Sequence, residues 1–132
     1  MEGLDEETQY VLEAAAIVHD IACPLCREKY GNTAGALQEA ESEPLVREFF
    51  SGTNLPEKQL ERIVFLVTHH HTYTGVDGID YQILLEADYL VNADESERYR
   101  KGMKQFRKNV FRTASGIALL DSIFREELRD TV

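Results

Sequence analysis

The run Ala14-Ala15-Ala16-Ile17-Val18-His19-Asp20 constrains this chain more than any other stretch. Stepping back from His19 by helical spacing meets Ala16, Ala15, Leu12 and Val11, so the imidazole continues an apolar helix face. Asp20 follows, over Ala16 and Ile17. A bare carboxylate buried there would cost several kcal/mol, so it must be hydrogen-bonded, paired or bound to a metal. The small alanines one turn earlier leave room beside the imidazole. Two later stretches hold residues able to complete such a site: His69-His70-His71, and Asp88 within Leu84-Leu85-Glu86-Ala87-Asp88-Tyr89-Leu90-Val91. The expectation is a helical framework that brings these three pieces together around a divalent cation.

Periodicity supports the helices. Asp5 to Ile21 reads as one helix, with an N-cap candidate in Leu4-Asp5-Glu6-Glu7 and apolar positions at Tyr10, Val11, Ala14, Ala15 and Val18. Pro24 interrupts it, and Leu25 to Tyr30 reads as a short helical turn ending at Gly31-Asn32. Thr33 to Phe50 is a second helix, with a break or kink expected near Ser42-Glu43 because of Pro44. After the linker Gly52-Thr53-Asn54-Leu55-Pro56, a third helix opens at Pro56 and runs to about His70, with Leu60, Ile63, Val64 and Val67 on one face. Thr72 to Gly78 is a loop. Asp80 to Ala93, Ser96 to Arg112 and Ser115 to Leu128 complete the set. No stretch alternates at period two, so the class is all-α: one domain, residues 1–132, built as a bundle of five to six helices.

The chain has 132 residues, enough for one core, and 43% hydrophobic and 29% charged content suit a globular protein. No apolar run approaches the roughly 20 residues that span a bilayer, so no membrane is expected. The acidic start Met1-Glu2-Gly3-Leu4-Asp5 lacks the pattern of a signal peptide, and a cytoplasmic location is the expectation. A net charge of −10 argues against binding a nucleic-acid duplex. Against that trend, Arg98, Arg100, Lys101, Lys104, Arg107, Lys108 and Arg112 form a run without one acidic residue. It reads either as a solvated helix face or as an attractor of a phosphate-bearing ligand or an acidic partner. Cys23-Pro24-Leu25-Cys26 lacks the second pair that a zinc ribbon needs and the βαβ setting of a redox motif, which leaves two reduced thiols beside Asp20.

The chemistry rests on separate helices each setting a ligand-type residue against an apolar background. His70 lies over Ile63, Leu66 and Val67, His71 over Val64 and Val67, and Asp88 over Tyr81, Leu84 and Leu85. Mixed imidazole and carboxylate ligands suit Mn, Fe, Co, Ni or Zn. Each has a plainer alternative: a histidine ending a helix serves as a capping cation, Asp88 pairs with an arginine of the basic run, and His19-Asp20 is satisfied by backbone.

His-Asp after an alanine-rich helix, then a valine- and isoleucine-rich helix ending in histidine, then Glu-Ala-Asp-Tyr-Leu, resembles the HD-domain superfamily of metal-dependent phosphohydrolases, over roughly Val11 to Ala93. The resemblance implies an HD-like helical domain with His19, Asp20 and Asp88 on the metal and His70 lining the site, with His69 and His71 as neighbouring registers. It also implies hydrolysis of a small phosphate ester or nucleotide. Asp20 would ligate the metal and orient the attacking water, and His70 would stabilise charge or protonate the leaving oxygen. Arg27, Lys29 and His71 would bind the phosphorylated substrate.

This sequence departs from the family pattern in three ways. Only 18 residues precede His19 and none is a histidine, where the family carries its first metal histidine well upstream. The chain therefore reads as N-terminally shortened, with an apolar groove left for a second copy and a homodimer as the corollary. Binuclear members carry a further histidine near the places of Gln38 or Glu39, so one metal is expected here. Cys23 stands where many members have Glu or Lys as acid or base. These departures favour the alternative of a non-catalytic metal-binding or ligand-sensing module, with a purely structural helical interaction domain as the third reading.

Overall fold

The computed structural model describes residues 3–129; Met1, Glu2 and residues 130–132, the tips of the expected domain, lie outside the described residues. The chain is all-helical, with no strand among the described residues. It divides into two compact units, Asp5–Gly75 and a second that begins at Val76.

In the first unit, α1 spans Glu6–Val18, α2 Cys23–Tyr30, α3 Gly35–Phe49 and α4 Glu57–His69. Asp5 caps α1 by accepting from Thr8 N at 2.7 Å. The helix stops at Val18 rather than Ile21, because the chain turns through residues 19–22, where Ile21 N bonds Val18 O and Cys23 N bonds Asp20 O. Pro24 opens α2 instead of interrupting a helix, since its missing N–H would be an orphan in a first turn anyway. Gly31 closes α2 at φ 77°, a left-handed conformation that glycine adopts without Cβ strain. Of the break or kink expected near Ser42-Glu43, the break is absent: α3 runs continuously across Pro44. Ser42 sits just before that proline with its hydroxyl bonded back to the Gln38 carbonyl.

α4 is the strongly amphipathic helix of this unit and packs against both α1 and α3. Its Ile63, Val64, Leu66 and Val67 are buried with Val11, Ala14, Ala15 and Val18 of α1 and Val46 of α3. Of the three alanines of α1, Ala14 and Ala15 are buried at this seam and Ala16 is exposed.

The second unit holds α5 (Ile79–Glu95), α6 (Glu97–Arg100), α7 (Met103–Asn109), α8 (Ala114–Ile123) and α9 (Arg125–Arg129). The helical segments outnumber the five or six expected because two long runs are divided and the short turn expected at Leu25 to Tyr30 is a helix of its own, α2. Lys101-Gly102 separates α6 from α7, glycine being among the poorest helix formers. Phe124 leaves helical geometry between α8 and α9 and is buried with Tyr89, Ala93, Met103, Phe111 and Leu120. Tyr89 stacks on Phe106 at 4.0 Å between centroids, and Phe111 meets both edge-on. No helix among the described residues is long and apolar enough to cross a membrane.

Candidate metal centre

The first unit concentrates its imidazoles at helix ends. His70 is the C-cap of α4, and His71 follows it; His19 is the C-cap of α1, and Asp20 lies in the turn leading to α2. Asp20 differs from expectation in its setting. Because α1 ends early, the carboxylate is not buried on a helix face but 55% exposed, with imidazoles on two sides. His19 Nε2 is 3.2 Å from its Oδ2, and His70 Nε2 is 3.6 Å from its Oδ1. Whenever these imidazoles carry a proton on Nε2 they hold the Asp20 carboxyl, His19 first and His70 next, far below the usual carboxylate range, so it is an anion at neutral pH.

Both histidines are oriented by backbone. His19 Nδ1 meets the Ala16 carbonyl at 2.7 Å, and His70 Nδ1 meets the Val67 carbonyl at 2.6 Å. A carbonyl only accepts, so each Nδ1 carries hydrogen, and a neutral ring then presents its Nε2 lone pair. For His70 that nitrogen is fully buried and has no hydrogen-bond partner among the described residues. A lone pair facing a carboxylate oxygen is a repulsive pair of acceptors unless something positive lies between them. A charge-assisted hydrogen bond would close the gap to about 2.7–2.9 Å, and the atoms stand farther apart than that.

His71 completes the cluster. Ligand atoms of Asp20, His70 and His71 all lie within 4.8 Å of one another. Two ligands of one ion, at bond lengths near 2.1 Å, are about 3.0–3.4 Å apart, so these three atoms are near enough to be candidate ligands of a single cation. Two imidazoles and a carboxylate suit Mn, Fe, Co, Ni or Zn, and the backbone carbonyl behind His70 is the outer partner that ligating histidines commonly have. The donor set therefore fits a divalent metal.

The other sequence-derived candidates fall as follows. His69 stacks on Phe65 at 4.1 Å, and its Nδ1 meets the Phe65 carbonyl at 2.8 Å, so it is engaged with its own helix. Arg27 is exposed on α2. Lys29 is held by Glu41 at 2.9 Å, with Tyr30 also donating to that carboxylate. Asp88 belongs to the second unit, where it is 9% exposed and accepts from Asn92 Nδ2 at 3.1 Å. Of the basic run, Arg107 forms a two-pronged pair with Asp121, Arg100 donates to the Ala93 carbonyl and Arg112 to carbonyls including that of Phe111.

Two residues near the site were marked in the sequence only as the places where binuclear members of the resembled family carry a further histidine. Gln38 meets His71 Nε2 through its Oε1 at 3.2 Å, and the Glu39 carboxylate accepts from His71 N at 2.9 Å and from Thr72 Oγ1. They come from α3, more than 30 residues upstream, and nothing in the spacing ties them to His71.

Comparison with known proteins adds no name to this geometry: neither a family model, nor a curated protein, nor a solved structure matches the chain.

Proposed function

We propose that the chain is a metal-dependent phosphohydrolase of HD-like type, acting on a small phosphate ester or nucleotide. The observation that carries the reading is His70 Nε2: buried, without a hydrogen bond, and 3.6 Å from an ionised carboxylate. Asp20, His70 and His71 would hold the ion, and the resemblance adds His19 and Asp88 as further ligands to be tested. A divalent cation bound there supplies a water activated near neutral pH and polarises a phosphoryl oxygen. Asp20, exposed on one side, faces solvent and is able to orient that water by accepting its hydrogen. His71, at the partly exposed edge, is the histidine nearer to an incoming phosphate. His70 is enclosed, which suits ligation better than proton delivery to a leaving group. Arg27 is the cation with no carboxylate assigned to it in the sequence-derived phosphate set, while Lys29 would first have to leave Glu41.

The experiment is a thermal-shift titration of purified protein with Mn²⁺, Co²⁺, Ni²⁺ and Zn²⁺, followed by a generic phosphoester assay with the metal that binds. At 100 times its Kd a metal stabilises by about 2.7 kcal/mol, an easily read shift. His70→Leu and Asp20→Asn should remove both the shift and the turnover, and Asp88→Asn tests the ligand that the resemblance adds. Metal binding without turnover supports the second reading, a ligand-sensing module, which Cys23 at the family's acid–base position favours. No shift with any of the four ions overturns both.

A further inference from the structure

The turn of α3 that faces His71 contains a device for choosing which of its ring nitrogens bears the proton. The device starts at the Thr33 carbonyl, to which Gln38 Nε2 donates at 2.6 Å. That bond fixes the amide orientation, because the flipped amide would set two oxygens against each other at the same distance. Gln38 is buried, and with its Nε2 held by Thr33 its Oε1 lies 3.2 Å from His71 Nε2. An amide oxygen accepts and never donates. His71 Nε2 must therefore carry the hydrogen, and the lone pair of the neutral ring resides on Nδ1.

Two further contacts hold the ring in that register. Glu39 accepts from His71 N at 2.9 Å, pinning the backbone. Gly35 lets the side chain settle onto the start of α3: a Cβ there would come within 2.7 Å of both Cβ and Cγ of His71. Three residues of one helical turn thus fix the position, rotation and tautomer of one imidazole.

We infer that Gln38 is a positioning residue that holds His71 as an Nδ1 ligand, opposite in tautomer to His70, which offers Nε2. The metal site would then combine one imidazole through each nitrogen. The contribution of Gln38 to metal binding rests on the proposed metal centre; the tautomer itself does not.

Imidazole nitrogen–proton correlation spectra of the ¹⁵N-labelled, metal-free chain test this. They are recorded at a pH high enough that the imidazole signals no longer move with added base, so that the neutral ring is observed. The wild-type His71 should be found as the Nε2–H form. Gln38→Ala, which removes the acceptor, should mix the two tautomers. In a Zn²⁺ or Ni²⁺ titration Gln38→Ala should weaken binding by about 10- to 100-fold, the usual loss when an outer partner of a ligating histidine is removed. A wild-type His71 carrying its hydrogen on Nδ1 overturns the inference, and needs no variant to fold. An unchanged tautomer in Gln38→Ala overturns it as well. If His71 is the Nε2–H form and no ion binds, the tautomer assignment stands and the metal centre fails.

Discussion

Each unit contains a carboxylate enclosed by helix ends, and the two are satisfied in opposite ways. In the second unit Glu86 is 2% exposed and fully occupied. Its Oε2 accepts from Gln82 Nε2 at 2.6 Å, Arg112 N at 2.7 Å and Thr113 N at 3.0 Å; its Oε1 accepts from Thr113 Oγ1 at 2.5 Å. Thr113 in turn caps α8 by accepting from Gly116 N at 2.9 Å, so the charge lies at the positive end of that helix. In the first unit Asp20 is half exposed, has imidazoles on two sides, and leaves the Nε2 of one of them without a hydrogen bond among the described residues. Every donor around Glu86 is paid with an acceptor, whereas the first unit keeps an unused nitrogen in its interior. Burial alone would rank Glu86 as the more suspicious group. The hydrogen-bond account reverses that ranking, since a saturated carboxylate has nothing left to offer a ligand.

The sharpest way to break the contrast is Glu86→Ala. It would leave two backbone N–H groups and the Thr113 hydroxyl buried without acceptors, at about 1–3 kcal/mol each, so a loss of roughly 3–5 kcal/mol is expected in chemical denaturation. A loss under about 1 kcal/mol would mean that Glu86 is no more structural than His70. The next effect is smaller. His70→Leu, in metal-free protein, should change stability by no more than about 1 kcal/mol, because it removes an unsatisfied buried nitrogen while keeping the volume. Costly unfolding of that variant would show His70 to be a core group rather than a ligand.

The smallest effect is in pH. The depressed pKa of Asp20 means that the folded chain binds its proton less readily than the unfolded one. Its ionised form therefore stabilises the fold above the unfolded value of about 3.9, and that contribution is lost as pH falls through the lower folded value. Asp20→Asn should flatten the acid limb of the stability curve below about pH 4, modestly, since water screens the exposed side. Superimposable acid limbs would show that the two imidazoles do not hold the carboxylate.

Much of the helical layout was legible because it is local. The face of Ile63, Val64 and Val67, the opening at Pro56 and the stop at Gly31 each follow from spacing or from one residue's backbone preference. The division at Gly102 was within reach of the same reasoning; the one at Phe124 was not, since burial of its ring depends on Tyr89 and Met103. The unbroken α3 ran against the break expected from Pro44. At the site, His70 and Asp20 were marked by their apolar surroundings, but the exposure of Asp20 hung on α1 ending three residues early. Gln38, Glu39 and two of the partners of Glu86, Arg112 and Thr113, lie 26 to 33 residues from the groups they serve, and no periodicity connects them.

Asp20, His70 and His71 all stand just past the last hydrogen-bonded turn of a helix. Helix ends open more often than helix middles, and at lower free energy than the unit as a whole. The cluster can therefore come apart while α1 and α4 stay packed. Fraying of a single turn would release whatever is held there, so exchange at the site and integrity of the fold answer to different barriers.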